Sequence, residues 1–452
     1  MLRKSETLSL WIKLLAASAG LLLILPLATS LLNQKDLNAL LVLISITRFQ
    51  AVFDIGFEGI ITRLLGQANE NINILTKNPQ IGQTSTNEIL AASRLIYIRL
   101  SIVVLFVFIL ITYISFSVNS FFNAQDFFNS KYFIPAIIVI ISMSLNVRGK
   151  NRVAIMNAYG YLREQNYYRS FFILIGVITS ILLGILTETL LAFMLYTIIT
   201  ELGCFYFNKY WVKKNLPKTQ IDFSKYKSKQ TYKYILKSSI KTGIGMIIGM
   251  SIIQGTGIYS TAIFSLKNSN MFLTYLNYIS AIGKFANAPF QSKLPKLNRL
   301  YAQSQMKHFN TMYLSRLYYV SFLVAILSLI ASFFIIIFFP AYEFNYILWL
   351  CLTLMIFAQR LGAINLQIYT VTNDIKWYFS NGITGLIALA FFYVLSPVNN
   401  LTDLVFVIIY AYIIFYIPYN SYLAFKVIKK DIYKTMPLFI ITYSLLLALL
   451  II

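Results

Sequence analysis

Twelve stretches of this chain, each near the length of a bilayer crossing, are almost wholly apolar, and short polar joints separate them. They fall at 10–32, 37–62, 95–117, 132–158, 170–187, 189–208, 240–264, 271–291, 315–339, 345–369, 377–396 and 402–425. A helix needs about 20 such residues to cross a hydrocarbon core ~30 Å thick. The pattern predicts an all-α polytopic membrane protein of about twelve transmembrane helices. A further apolar run, 436–452, is slightly short for a crossing; it either spans as a thirteenth helix or lies along the inner face. Composition agrees: 58% of residues are apolar and 12% charged, where soluble proteins carry about 25% charged residues. Met1–Lys13 and the stretch to Leu32 have the layout of a signal peptide, but the apolar run is too long for one and is read as the first span.

The net charge of +23 would ordinarily suggest nucleic acid. Here the basic residues sit in the joints, where the positive-inside rule accounts for them and leaves no call for a nucleic-acid partner. With the N-terminus in the cytoplasm, the inside joints hold Arg63, Lys77 and Arg94, then Arg163 and Arg169, then ten lysines from Lys209 to Lys241. Later inside joints hold Lys293, Lys296, Arg299 and Lys307, then Lys376, then Lys426, Lys429, Lys430 and Lys434. The outside joints hold only Lys35, Lys131 and Lys267. One miscounted span would scramble this asymmetry. The central joint divides six spans from six, a common plan in secondary transporters. The predicted domains are an N-terminal six-helix bundle, 1–208, a basic cytoplasmic linker, 209–239, a C-terminal bundle, 240–425, and a basic joint with the apolar run, 426–452.

A charge at mid-bilayer costs at least about 2.5–3.5 kcal/mol, so each one needs a partner or a wet cavity. In the second span, RFQAVFDIGFEGIITR, Asp54 and Glu58 lie four apart on one face. They are candidates for an ion-coupling pair; the plainer alternative is an ion-pair network with Arg48 or Arg63. Arg148 and Arg152 share a face near the end of the fourth span, and either face an anionic head group in a cavity or snorkel to the interface. The eighth span carries Asn277, Ser280, Lys284, Asn287 and Gln291 at alternating steps of three and four, one continuous polar stripe. Lys284, midway along it, either lines a pore or sits in a buried ion pair. Pro289 is expected to kink this helix. In the tenth span Thr353, Arg360 and Gln367 recur every seven residues. Arg360 cannot discharge, which makes it the best single candidate for a phosphate or carboxylate contact; the alternative is a pair with Glu201 of the sixth span. The glycine-rich seventh span, with its Gly245 and Gly249 pair, reads as the most breakable helix.

Several chemistries are missing from the sequence. No GxxxxGK[ST] loop appears, so the chain does not itself hydrolyse ATP. No HExxH, GxSxG or Cys/His cluster is present, and no cofactor is implied. His308 is the sole histidine, so no metal site is expected. Cys204 and Cys351 lie inside spans, which argues against a disulfide framework. The joints are too short for a catalytic domain, and the chain reads as a non-enzyme.

Two passages resemble a known family. FDIGFEGIITRLLGQA, residues 53–68, resembles the Asp-x-Gly-Phe stretch and closing threonine-arginine of O-antigen and polysaccharide flippases. NAYGYLREQNYYRS, residues 157–170, resembles that family's joint before its fifth span. The family belongs to the superfamily of multidrug, oligosaccharidyl-lipid and polysaccharide exporters, and the likeness in topology covers the whole chain. The resemblance implies two six-helix bundles around a central cavity, alternately open to each face of the bacterial inner membrane, with ion coupling. It implies translocation of an undecaprenyl-pyrophosphate-linked glycan from the cytoplasmic to the periplasmic leaflet, with membrane lipids, a polysaccharide polymerase and a chain-length regulator as partners. Arg48, Arg148, Arg152, Asn277, Lys284, Asn287, Gln291, Arg360 and Gln367 would line the substrate cavity, and Asp54 and Glu58 would carry the ion. The first rival, a drug or cation exporter of the same superfamily, favours an acidic pocket. The second, a membrane glycosyltransferase or polymerase, needs a larger outside loop than 118–131 provides.

Overall fold

The computed structural model describes residues 2–48, 57–69, 86–122, 124–216, 229–340, 342–372, 376–394 and 400–428. Asp54, Asp374 and the run 436–452 lie outside these residues, as do the side chains of Arg48 and Arg63. The described chain is all-α, with no strand among its residues. Its helices are α1 (Leu2–Ala19), α2 (Leu25–Leu31), α3 (Gln34–Arg48), α4 (Phe57–Asn69), α5 (Thr86–Val118), α6 (Ser130–Ala158), α7 (Leu162–Thr187), α8 (Leu190–Asn215), α9 (Lys229–Ile263), α10 (Leu266–Gln291), α11 (Leu294–Ala302), α12 (Met306–Phe338), α13 (Tyr346–Tyr369), α14 (Trp377–Val394), α15 (Leu401–Ala411) and α16 (Ile417–Ile428).

Among the described residues, nine helical stretches are long and apolar enough to cross a membrane. The expected spans missing from the nine are instructive. The stretch 37–62 comprises α3 and α4, with 49–56 undescribed between them. Those at 240–264 and 271–291 are α9 and α10, of 35 and 26 residues; α10 is long enough to cross but carries Lys284 and four asparagines along its length. For α10 the polarity goes with burial. Helices that face lipid must be apolar, whereas helices packed in protein need not be. Only 22% of the apolar window of Met306–Phe338 is buried, against 67% for Tyr346–Thr372. The residues of α10 are buried along most of its length. The glycine-rich helix expected to break, α9, runs continuously, and Pro289 falls in the last turn of α10.

The chain forms two compact units, Met1–Ile247 and Ile248–Ile452. Within each, the joints gather as the charge count requires. In unit 1, Lys35 pairs with Asp126 at 3.1 Å and Lys131 with Asp36 at 2.7 Å, which brings two of the expected outside joints to one end. Glu88 accepts from Thr231 Oγ1 at 3.1 Å and Arg99 donates to the Tyr232 hydroxyl at 3.1 Å, so the start of α5 and the start of α9 share an end. In unit 2, Asn310 Nδ2 donates to the Ile428 carbonyl at 3.3 Å, joining two of the expected inside joints. The remaining outside lysine, Lys267, faces Glu343 at 3.8 Å.

Unit 1 is organised around the α7–α8 hairpin. Its turn is set by Glu188 in the left-handed region at φ +50° and by Thr189, whose side chain accepts from the Ala192 N–H. The two helices approach through small residues: a Cβ built on Gly176 would lie 2.9 Å from the Tyr196 carbonyl oxygen, a backbone atom with no room to yield. Gly176→Leu should therefore push α7 from α8 and destabilise unit 1 by about 1–3 kcal/mol, read as a lowered midpoint of thermal unfolding in detergent. An unchanged midpoint would show that the hairpin tolerates separation.

Two helical spans carry a π-helical turn, at Gly20–Ile24 and at Tyr412–Tyr416. Each precedes a proline by two residues, Pro26 and Pro418. A proline lacks the N–H that would bond the carbonyl four residues back, and that carbonyl falls at Leu22 or Ile414, inside the widened turn.

Candidate functional site

In unit 2 the exposed side chains of the helices divide cleanly by chemistry. On α12, Phe322, Leu329, Ile330, Phe333 and Ile337 are exposed, a surface suited to lipid. On α10 no large hydrophobic residue is exposed. The open strip of α10 is half-buried Ser280 and exposed Lys284 and Gln291, while Asn277 and Asn287 are buried. On α13 the exposed large hydrophobics, Tyr346, Ile347 and Leu350, are confined to its first turns. Beyond them Thr353, Gln359, Arg360 and Gln367 are half-buried. A strip that is open yet bare of large apolar side chains is suited to water rather than to lipid tails.

Arg360 sits where α10 and α13 touch. A Cβ built on Gly283 would lie 2.8 Å from Ile356 Cδ1 and 3.6 Å from Arg360 Nε, so the absence of a side chain at Gly283 leaves space for the guanidinium against α10. Arg360 Nη2 donates to Gln359 Oε1 at 2.7 Å, while its Nε is buried without a partner. The Tyr412 and Tyr416 phenols, from the π-helical turn, lie within its electrostatic reach. No described acid pairs with it. Unit 2 has only four acidic residues: Glu343 faces Lys267, Asp403 caps α15, and Asp374 and Asp431 lie outside the described residues. Glu201, the partner considered from the sequence, is bound within unit 1 to Arg169 at 2.6 Å. Two further buried acceptors, Asn287 Oδ1 and Gln367 Oε1, have no partner among the described residues.

Unit 1 holds a second polar cluster, which the sequence reading missed. Glu58 Oε2 meets Lys150 Nζ at 2.6 Å and Glu58 Oε1 accepts from Asn157 Nδ2 at 3.0 Å. Its described partners thus come from α6; the side chains of Arg48 and Arg63 lie outside the described residues. Lys13 of α1 donates to Asn166 Oδ1 at 3.2 Å, and Asn166 donates in turn to Ser9 Oγ at 3.2 Å. Lys13 feels the charges of Arg169, Lys150 and Glu58, and Arg169 those of Glu201 and Glu58. Among the described side chains the cluster sets three cations, Lys13, Lys150 and Arg169, against two carboxylates, Glu58 and Glu201. Nearby, Arg148 and Arg152 lie over the Phe205 ring, at 5.9 and 4.5 Å from its centroid, and Arg152 also donates to the Phe205 carbonyl at 3.4 Å. Arg148 is exposed and Arg152 half-buried. The structure therefore brings Arg360 of α13 against Gly283 of α10, with Lys284 and Asn287 on α10 and Gln367 on α13, and places Glu58, Arg148 and Arg152 on the helices of unit 1. No group of three His, Cys, Asp or Glu side chains suited to a metal occurs among the described residues.

No protein-family model matches the chain, and no curated protein sequence matches it. Solved structures do share its architecture. A MOP superfamily transporter from Pyrococcus furiosus, described as having a binding pocket of reversed polarity, is 13% identical; the match covers 98% of this chain and 96% of that one with a TM-score of 0.60. An outward-facing multidrug resistance transporter of the MATE family is 13% identical over 98% and 96%, with a TM-score of 0.59. A MATE bound to MaL6 is 12% identical over 98% and 96%, with a TM-score of 0.63. Likeness at these identities establishes the fold: this chain is built on the architecture of the MOP-superfamily transporters.

Proposed function

We propose that this chain is a flippase that carries an undecaprenyl-pyrophosphate-linked oligosaccharide from the cytoplasmic to the periplasmic leaflet of a bacterial inner membrane. One observation carries the reading: Arg360, packed against α10, whose open strip carries Lys284 and is free of exposed large apolar side chains, has no acidic partner among the described residues. A guanidinium held at depth without a carboxylate is stabilised by an anionic guest, and a pyrophosphate offers the bidentate geometry it prefers. The lipid tail stays in the bilayer while the cationic groups take the head group, and alternating access exposes the sugar on the far side. Glu58, together with Asp54, is the candidate coupling group, and the proton or cation it takes would compete with Lys150. The O-antigen-flippase resemblance of residues 53–68 and 157–170 supports the same substrate class.

A second reading, export of a drug, is favoured by the multidrug resistance transporters that share the fold. A cationic drug is disfavoured by a site whose buried charges are themselves cationic. The two readings separate in a deletion strain. The flippase reading expects a lipid-linked oligosaccharide to accumulate in the membrane, identifiable by mass spectrometry, with surface polysaccharide lost. Normal lipid-linked glycan combined with raised drug sensitivity would overturn it in favour of export.

A further inference from the structure

Away from α10 and α13, unit 2 carries an open pocket of about 520 Å³ between α11 and the start of α12. Lys296, His308 and Arg316 line it, with the Ser315 hydroxyl among them and Leu300 and Met312 as its apolar wall. Among the described residues no carboxylate lines it. From Leu266 to Tyr342, the stretch that supplies α10, α11 and α12, seven lysines and arginines and one histidine occur and not one acidic residue. None of Lys296, His308 and Arg316 makes a hydrogen bond or ion pair with a described residue, and the Arg316 Nε is buried without a partner. A turn holds the arrangement: Ser304 adopts φ +57°, and Gln305 N–H bonds back to the Leu300 carbonyl at 2.9 Å, folding α11 against α12. On the charge count, this end of the helices faces the inner leaflet, so the pocket opens where anionic head groups are found.

We infer that this pocket binds a phosphate group, separately from the Arg360 strip. The Arg316 fork supplies paired donors for two phosphate oxygens, Lys296 adds a mobile point charge, and Ser315 offers a neutral donor. The apolar wall suits the glycerol end of a phospholipid, though a soluble phosphate would meet the same cations. The inference is independent of the flippase reading, since no residue is shared with the proposed substrate site.

The test uses the full chain in nanodiscs of phosphatidylcholine, with and without phosphatidylglycerol, and in detergent with inorganic phosphate. Retention of phosphatidylglycerol is read by native mass spectrometry, and phosphate binding by titration. The double variant Lys296→Gln/Arg316→Gln removes the two permanent charges, and Lys214→Gln removes one from an exposed lysine on α8. The expected result is phosphatidylglycerol retained by the parent and by Lys214→Gln, and bound about tenfold or more weakly by the double variant. Phosphate binding lost in the double variant without a change in lipid retention supports the pocket and identifies a soluble ligand. Equal loss in Lys214→Gln, or no loss in the double variant, overturns the assignment.

Discussion

Replacing Arg360 with alanine should cut transport roughly 10- to 100-fold, because hydrogen bonds to a charged group are worth about 1.5–3 kcal/mol and each 1.4 kcal/mol is tenfold. The fold should survive, because the side chain makes its only described hydrogen bond with the neighbouring Gln359 and no ion pair is broken. Arg360→Lys keeps the charge but loses the planar fork, and should retain intermediate activity. Lys284→Ala, next to the Gly283 contact, should add to the defect. Flux is read as lipid-linked glycan consumed and surface polysaccharide formed in a strain that depends on this gene, at matched protein levels. Undiminished polysaccharide in Arg360→Ala at normal abundance would remove the cationic strip from the mechanism.

The second large effect concerns stability and has a sign that depends on which partner is removed. Breaking a buried pair from one side costs about 3–5 kcal/mol, chiefly by leaving the other charge uncompensated. In the unit 1 cluster the two sides are not equivalent. Among the described side chains, Glu201→Gln leaves Arg169, Lys150 and Lys13 facing Glu58, whereas Arg169→Gln leaves Lys13 and Lys150 balanced against Glu58 and Glu201. The carboxylate variant should therefore lie near the top of that range and the arginine variant well below it. Lys13→Met in the Glu201→Gln background should recover part of the loss by removing the excess charge. Thermal unfolding of the purified variants in detergent checks the order; equal losses, or a larger loss in Arg169→Gln, would refute the charge balance.

The helices were legible because lipid imposes a blunt requirement. Each apolar run had to become a helix, and the expected ends at 132–158 and 345–369 fall within two residues of α6 and α13. At the basic joints the helices run further than the apolar runs, as at Thr86 and Lys229, because backbone hydrogen bonding continues where hydrophobicity stops. Partners were much less legible. Glu58 was weighed against arginines of its own span, whose side chains lie outside the described residues; the lysine it meets comes from α6, and nothing in local spacing encodes which helix packs alongside. Arg169 was counted as a joint residue, although Arg169 and Glu201 lie on opposite arms of one hairpin, several turns from Glu188; that shared turn was the available signal. Lys13 was passed over as the end of a basic N-terminus, and only the position of α1 against α7 shows it among charges. On the strip of α10 the stripe of five was visible from its spacing, but its division into buried Asn277 and Asn287 and open Lys284 and Gln291 depends on neighbours that a single helix cannot specify.

The three lysines of the sparse rim, Lys35, Lys131 and Lys267, each stand against an acid. An electric field across the bilayer does work of about 2.3 kcal/mol per unit charge per 100 mV, but only on charge that moves without its counterion. These doublets present almost none. Displacement of this rim would then add little to any voltage dependence of turnover, which would fall instead to the cargo, any ion that accompanies it and the cations held deeper in the bundle, Arg360 among them.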